Sequence, residues 1–351
     1  MDARMSYQNQ DVYIGIDVHK RTYSLCCLCE KVKVKRATIP ADPGKLLEFF
    51  RKFFAGARLH TAYEAGFSGF VLHRFLAKND IDSIVVNPAS IELADRDNVK
   101  TDKRDALKIA TQLEAGRLKA IVVPSEEQER RRLLTRTREQ LVNEKTRLSN
   151  QMKSRLYQFG LISFDDKRPV SEAFLEHYLS LNLPYELHEA LTVLAELWRF
   201  VVEKIKKFRV LLSRQAKEDS GLQSIYESAP GIGPLGARIL ANELGDMSQF
   251  RNEKRIFGFI GLTPSESSSG VARRQGHISR QGSGRLRWIL TEAAWKAISQ
   301  DPVLRADYER IAARAGGKKA IVAIARKLIA RVRACFKKQE NYQLGYAKAA
   351  A

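Results

Sequence analysis

The feature that most constrains this chain is a change of periodicity at about residue 125, from strand-length alternation to sustained helical spacing. Before it, residues 13–18, 24–30 and 31–39 read as three short strands in meander order. A helix is expected at about 43–54, a strand at 59–64, a helix near 68–78, a buried strand at 81–86 and a helix from about Thr101. Three antiparallel strands followed by strand–helix alternation predict an α/β layout with a mixed sheet.

Past Ser125 the texture is helical. Leu134, Leu141 and Leu148 fall one heptad apart in a basic stretch at 130–155. Leu187, Leu191, Leu194, Trp198, Val201, Ile205, Phe208 and Leu212 follow spacings of four and three, an a/d seam. The two stretches predict either an antiparallel hairpin or an intermolecular coiled coil, the latter implying a homodimer or homotetramer. From about Gly221 the chain is helical and punctuated by glycine. The expected organisation is multidomain, α/β followed by all-α: 1–125, a helical coiled-coil middle at 126–218, and a helical last domain at 219–351.

Charge narrows the partners. Sixty Lys+Arg stand against forty Asp+Glu, a net charge of +20, and residues 251–351 hold 21 Lys/Arg against 7 Asp/Glu, or +14 of that excess. Such a field attracts polyanions, above all nucleic acid, although a merely solvated basic surface has the same composition. No stretch approaches the roughly 20 apolar residues of a spanning helix, and MDARMSYQNQ has no apolar core of a secretory signal. Cys26 and Cys29 form a C-x-x-C without a second pair, so Cys26, Cys27, Cys29 and Cys335 are expected as thiols in a reducing cytoplasm.

Four carboxylates stand out. Asp17 closes the strand YIGID and Glu64 closes HTAYE. A carboxylate at the end of a buried strand is costly unless paired or metal-bound. Asp102 and Asp105, three apart in KTDKRDA, share one face of a helix's first turn. Together they offer hard oxygen donors for a pair of divalent ions, Mg²⁺ or Mn²⁺, as phosphoryl transfer uses. Each also has a plainer reading: Asp102 as helix cap, Asp105 as partner of a nearby Lys or Arg, Glu64 as a surface acid by a turn.

In the last third, 222–244 reads as helix, Pro-Gly-Ile-Gly turn, helix. Gly231 and Gly233 allow a tight hairpin whose backbone N–H groups can approach a phosphate, as in a helix-hairpin-helix, or else a simple helix corner. Further on, a hydrophobic run stops at Thr263-Pro264. A serine-rich loop follows with Ser265, Ser267, Ser268 and Ser269, then Arg273, Arg274, Arg280, Arg285 and Arg287. Serine clusters are commonly turn material, and the arginines suit bidentate phosphate contacts.

GIDVHK at 15–20, YEAGFSG at 63–69, VVNPAS at 85–90 and KTDKRDA at 100–106 resemble the bridge-RNA-guided insertion-sequence transposases. The C-terminal GLTP, serine–glycine step and RLRW resemble the same family's second motif. The resemblance implies an RNase H-like, RuvC-like N-terminal domain whose DEDD carboxylates are Asp17, Glu64, Asp102 and Asp105. It implies a serine nucleophile at Ser269, with Ser268 one position away, that holds cut DNA as a phosphoserine ester. It further implies donor and target DNA and a structured guide RNA as partners, in a bacterial or archaeal cell. A junction-resolvase-like nuclease with the same carboxylates and water as nucleophile is the alternative.

Overall fold

The computed structural model describes residues 7–88, 91, 102–269, 272–279 and 281–345. Strands β1 (Asp11–Val18), β2 (Thr22–Cys29) and β3 (Val32–Pro40) form the antiparallel meander. Helix α1 (Pro43–Phe53) follows, started by Asp42, whose side chain accepts from the Lys45 N–H. Next come β4 (Arg58–Glu64), α2 (Val71–Lys78), β5 (Asp82–Val86) and α3 (Asp102–Glu114). β1 pairs in parallel with β4 and β4 with β5, giving the order β3-β2-β1-β4-β5 and the expected mixed sheet.

Alternation decides which face each residue covers. Ile14, Ile16, Leu25, Cys27 and Tyr63 pack with Leu46 and Phe50 of α1 and with Leu72 and Leu76 of α2. On the other face, Cys26 and Leu28 pack with Ala106 and Ala110 of α3, while Ala62 and Val86 meet Ile109. The three neighbouring cysteines are free and buried.

The chain divides into two compact units, Met1–Val123 and Pro124–Ala351. The second opens with α4 (Glu126–Gln158), α5 (Glu172–Leu179) and α6 (Tyr185–Glu218). α4 and α6 run antiparallel: Leu148, Met152 and Leu156 pack with Leu187, Leu191 and Trp198, and Trp198 Nε1 donates to Ser149 Oγ at 3.0 Å. Nearer the other end, Arg131 pairs with Asp219. The heptad seam is therefore covered within the chain.

Then follow α7 (Ser220–Glu227), α8 (Pro234–Leu244), α9 (Glu253–Ile260), β6 (Pro264–Ser269), β7 (Ala272–Ile278), α10 (Gly284–Gln300), α11 (Pro302–Ala315) and α12 (Gly317–Lys338). These helices share one core, which includes Leu240, Ile256, Leu290, Leu304 and Leu328. The serine segment, expected as a loop, is a strand. β7 offers it an antiparallel partner, with a register shift between Pro264 and Glu266, and ladder pairing outweighs the turn preference of serine.

Buried charge ties α4 to this core. The Glu243 side chain, only 3% exposed, accepts from Arg136 Nε and Nη2 at 2.8 Å each, with Arg132 Nε at 3.4 Å and Arg285 Nη1 at 4.0 Å. The hydrogen bond to Glu243 raises the Arg136 pKa, whereas burial lowers those of Arg132 and Arg285. Removing the carboxylate leaves a cluster of guanidinium groups without their buried counter-charge. Glu243→Ala is expected to cost about 3–5 kcal/mol and to lower the thermal unfolding midpoint, with Glu243→Gln losing less, as calorimetry of the purified chain would show.

Candidate active site

Strand register brings the two strand-end acids together. Ile16 pairs with Tyr63, so Asp17 and Glu64 follow as neighbours at the C-terminal ends of parallel strands. Both belong by alternation to the face that α3 covers, Asp17 with Gly15 and Glu64 with Ala62. Asp17 is partly buried and Glu64 is exposed.

Gly15 allows α3 to join them. A Cβ at this position would lie 2.0 Å from the Ala106 carbonyl oxygen and 2.5 Å from the Ala110 nitrogen. The helix backbone thus rests directly on β1, with its first turn beside the strand ends. Asp105, the residue before Ala106, is partly buried, and Lys108 Nζ stands 3.8 Å from its Oδ1. Asp102 begins the same helix, where the N-terminal dipole favours an acid, and its side chain lies outside the described residues.

His19 joins this corner, with Nε2 3.1 Å from Asp17 Oδ2, as an electrostatic contact rather than an aligned hydrogen bond. His19 lies just past the end of β1, two residues after Asp17 in the GIDVHK motif.

Among the described residues, no group of three or more His, Cys, Asp or Glu is close enough to hold a metal ion. Asp17, Glu64 and Asp105 nonetheless offer carboxylate oxygens, the chemistry that hard divalent cations take. The residues present fit such an ion by donor type.

The serine hairpin lies in the other unit. Ser269 pairs with Ala272, Ser268 with Arg273 and Ser267 with Arg274. The side chains of Ser267, Ser268, Ser269, Arg273 and Arg274, and Arg280 altogether, lie outside the described residues. The hairpin's foot is fixed by Ser279 N–H donating to the Thr263 carbonyl at 2.8 Å and Ser283 N–H to the Phe259 carbonyl at 3.0 Å.

Two arginines expected to meet nucleic acid are engaged within the protein. Arg285 pairs with Glu139 and approaches Glu243, its side chain 15% exposed, and Arg287 Nη1 donates to the Ile260 carbonyl at 3.1 Å. Gly231 likewise has a packing role: at φ +78° its Cα faces α10, and a Cβ would lie 2.3 Å from the Ala293 oxygen. Gly233, the N-cap of α8, is exposed with open space around it.

Comparisons with known proteins agree along most of the chain. A transposase family model of the DEDD IS110 type matches residues 14–160, and the model described as the transposase IS116/IS110/IS902 family matches residues 223–309. The y4rJ protein of Sinorhizobium fredii, named as a transposase, is 30% identical over 357 residues, covering 91% of this chain and 90% of its own. The transposase for insertion sequence element IS1533 of Leptospira borgpetersenii is 28% identical, covering 81% and 85%. The y4qE protein of S. fredii, also named as a transposase, is 28% identical over 68% of this chain, and the match spans 58% of y4qE. The matches define a protein of the transposase class. The chain belongs to the IS116/IS110/IS902 transposase family.

If the contact at Gly15 sets the corner, Gly15→Ala must push α3 off β1. The expected cost is about 1–3 kcal/mol, read as a lower unfolding midpoint, with Gly15→Val losing more.

Proposed function

We propose that this chain cuts and rejoins DNA at the ends of an insertion sequence through a covalent phosphoserine intermediate on Ser269. The carrying observation is the sheet corner, with Asp17 and Glu64 side by side and the first turn of α3 held against them, in a chain of this family. Asp17, Glu64, Asp102 and Asp105 would hold Mg²⁺ or Mn²⁺, which supplies Lewis-acid polarisation of a phosphate when bound. Ser269 Oγ forms a bond to phosphorus as a strand P–O bond breaks; the serine proton passes to water, and the leaving strand oxygen keeps the bonding pair and takes up a proton from water. One phosphate ester replaces another, so rejoining needs no external energy source. The reading requires the carboxylates and Ser269 to meet, within one chain or between copies.

DNA is held without base readout at the turn between α7 and α8, a helix-hairpin-helix in this reading. The α8 N-terminus has no side-chain cap, and open Gly233 leaves its N–H groups to a phosphate. A structured guide RNA occupies part of the basic surface, a reading that rests on the family resemblance and the net charge of +20.

Two copies associate through the outward face of α6. Val193, Leu197 and Phe200 are exposed there. The N-terminal half of α6 carries Glu186, Glu189 and Glu196 against Arg199; the C-terminal half carries Lys204, Lys206, Lys207, Arg209, Arg214 and Lys217 against Glu203 and Glu218. An antiparallel copy sets acidic half on basic half about a two-fold axis near Phe200. Phe200→Glu is expected to shift the sedimentation coefficient toward that of the monomer.

The chemistry is tested by incubating purified protein with insertion-sequence ends and Mg²⁺, then resolving the products under denaturing conditions. A protein–DNA adduct is expected, retained in Ser268→Ala and lost in Ser269→Ala and Asp17→Asn. Cutting without adduct in Ser269→Ala would assign the nucleophile to water. An adduct that survives in that variant would move it to another residue. Sequencing of co-purified RNA tests the guide, and absence of a specific species would remove it.

A further inference from the structure

We propose that α10 carries a base-stacking strip, Trp288 and Trp295, which takes unpaired bases of the strand that reaches Ser269. The proposal rests on the transposase reading above.

Of the three tryptophans, Trp198 is buried in the α4–α6 seam. The other two lie on α10 and open to water, Trp288 at 66% and Trp295 at 46% exposure. Seven residues apart, they share a helix face at a separation of about 10 Å along the axis. Trp288 has no ring partner among the described residues, and Trp295 meets Tyr308 at 5.8 Å between centroids. Two open indoles on one face form a flat apolar surface, Trp295 backed by Tyr308.

Position and charge select the occupant. The Trp288 end stands at the foot of the serine hairpin: Arg287 donates to the Ile260 carbonyl, and Ser283 N–H to that of Phe259. The other end of α10 adjoins the α7–α8 turn, where Ala293 and Lys296, on a flank beside the indole face, lie so close that Gly231 has no room for a Cβ. A strand held by its phosphates at that turn and cut at the hairpin runs beside α10. Lys296 and Arg305 are exposed, and residues 251–351 carry +14, which suits a polyanion. Glu292, exposed between the tryptophans, is the acid on this face, and a carboxylate accepts from base amino groups. Every base has a π-face, but an intact duplex hides it, so the strip takes single strands.

Tryptophan emission of the full chain reports directly. Titration with a single-stranded oligonucleotide is expected to quench the two exposed indoles, and duplex of the same sequence much less. Trp288→Ala and Trp295→Ala should each weaken single-strand binding about tenfold, leave duplex binding within about twofold and keep the circular dichroism unchanged. Trp288→Phe should recover most of the loss. Equal losses on single strand and duplex, or no quenching, would overturn the proposal. So would a blue shift that follows protein concentration instead of oligonucleotide, which assigns the face to a second copy. Repeating the titration in Ser269→Ala separates the two claims: the strip binds there as in the parent, whatever becomes of the covalent adduct.

Discussion

The N-terminal unit turns on an atom that is missing, the Cβ of residue 15. Without it the backbone of α3 lies directly on β1, with the Ala106 carbonyl occupying the space that any side chain would fill. Helix and sheet then meet at backbone distance, and the small residues Ala106 and Ala110 sustain that approach along the helix. The consequence is electrostatic as much as steric. The first turn of the helix lies toward the C-terminal end of β1, and strand register makes Asp17 and Glu64 neighbours there.

Much of this corner was legible because its parts obey local rules. Period-two alternation placed Asp17 with Gly15 and Tyr13, and the strand-ending positions of Asp17 and Glu64 followed from pattern alone. The parallel pairing of β1 with β4, which makes those two acids neighbours, is a long-range fact that no local pattern encodes. His19 stands beyond the end of β1, where alternation no longer assigns a face, and only the fold brings it to Asp17. The serine hairpin escapes local rules for another reason. Propensity reads PSESSS as a turn, and only the partner strand ARRQGHI, with its ladder of hydrogen bonds, makes it extended. Periodicity marks an apolar seam on α6 but cannot say whether the covering helix lies in the same chain, and here α4 covers it.

The arginines carry the sharpest lesson. A basic sequence invites the reading that its arginines await a polyanion. In the second unit many do not: Arg136 clasps Glu243, Arg285 pairs with Glu139, Arg331 meets Asp301, Arg333 donates to the Phe250 carbonyl and Arg326 lies over the Phe257 ring. Planar guanidinium groups are well suited to such internal use, since they satisfy several acceptors at once and tolerate partial burial. Lysine differs, with a more strongly hydrated point charge that keeps to water. The field that draws in nucleic acid therefore comes unequally from the two residue types. Exposed lysines such as Lys254, Lys296, Lys318 and Lys319 keep their charge at the surface, while many arginines hold the helices at fixed distances beneath it. A change of Arg285 on the premise that it grips DNA would first loosen α10 from α4, and lost binding would then report a lost scaffold.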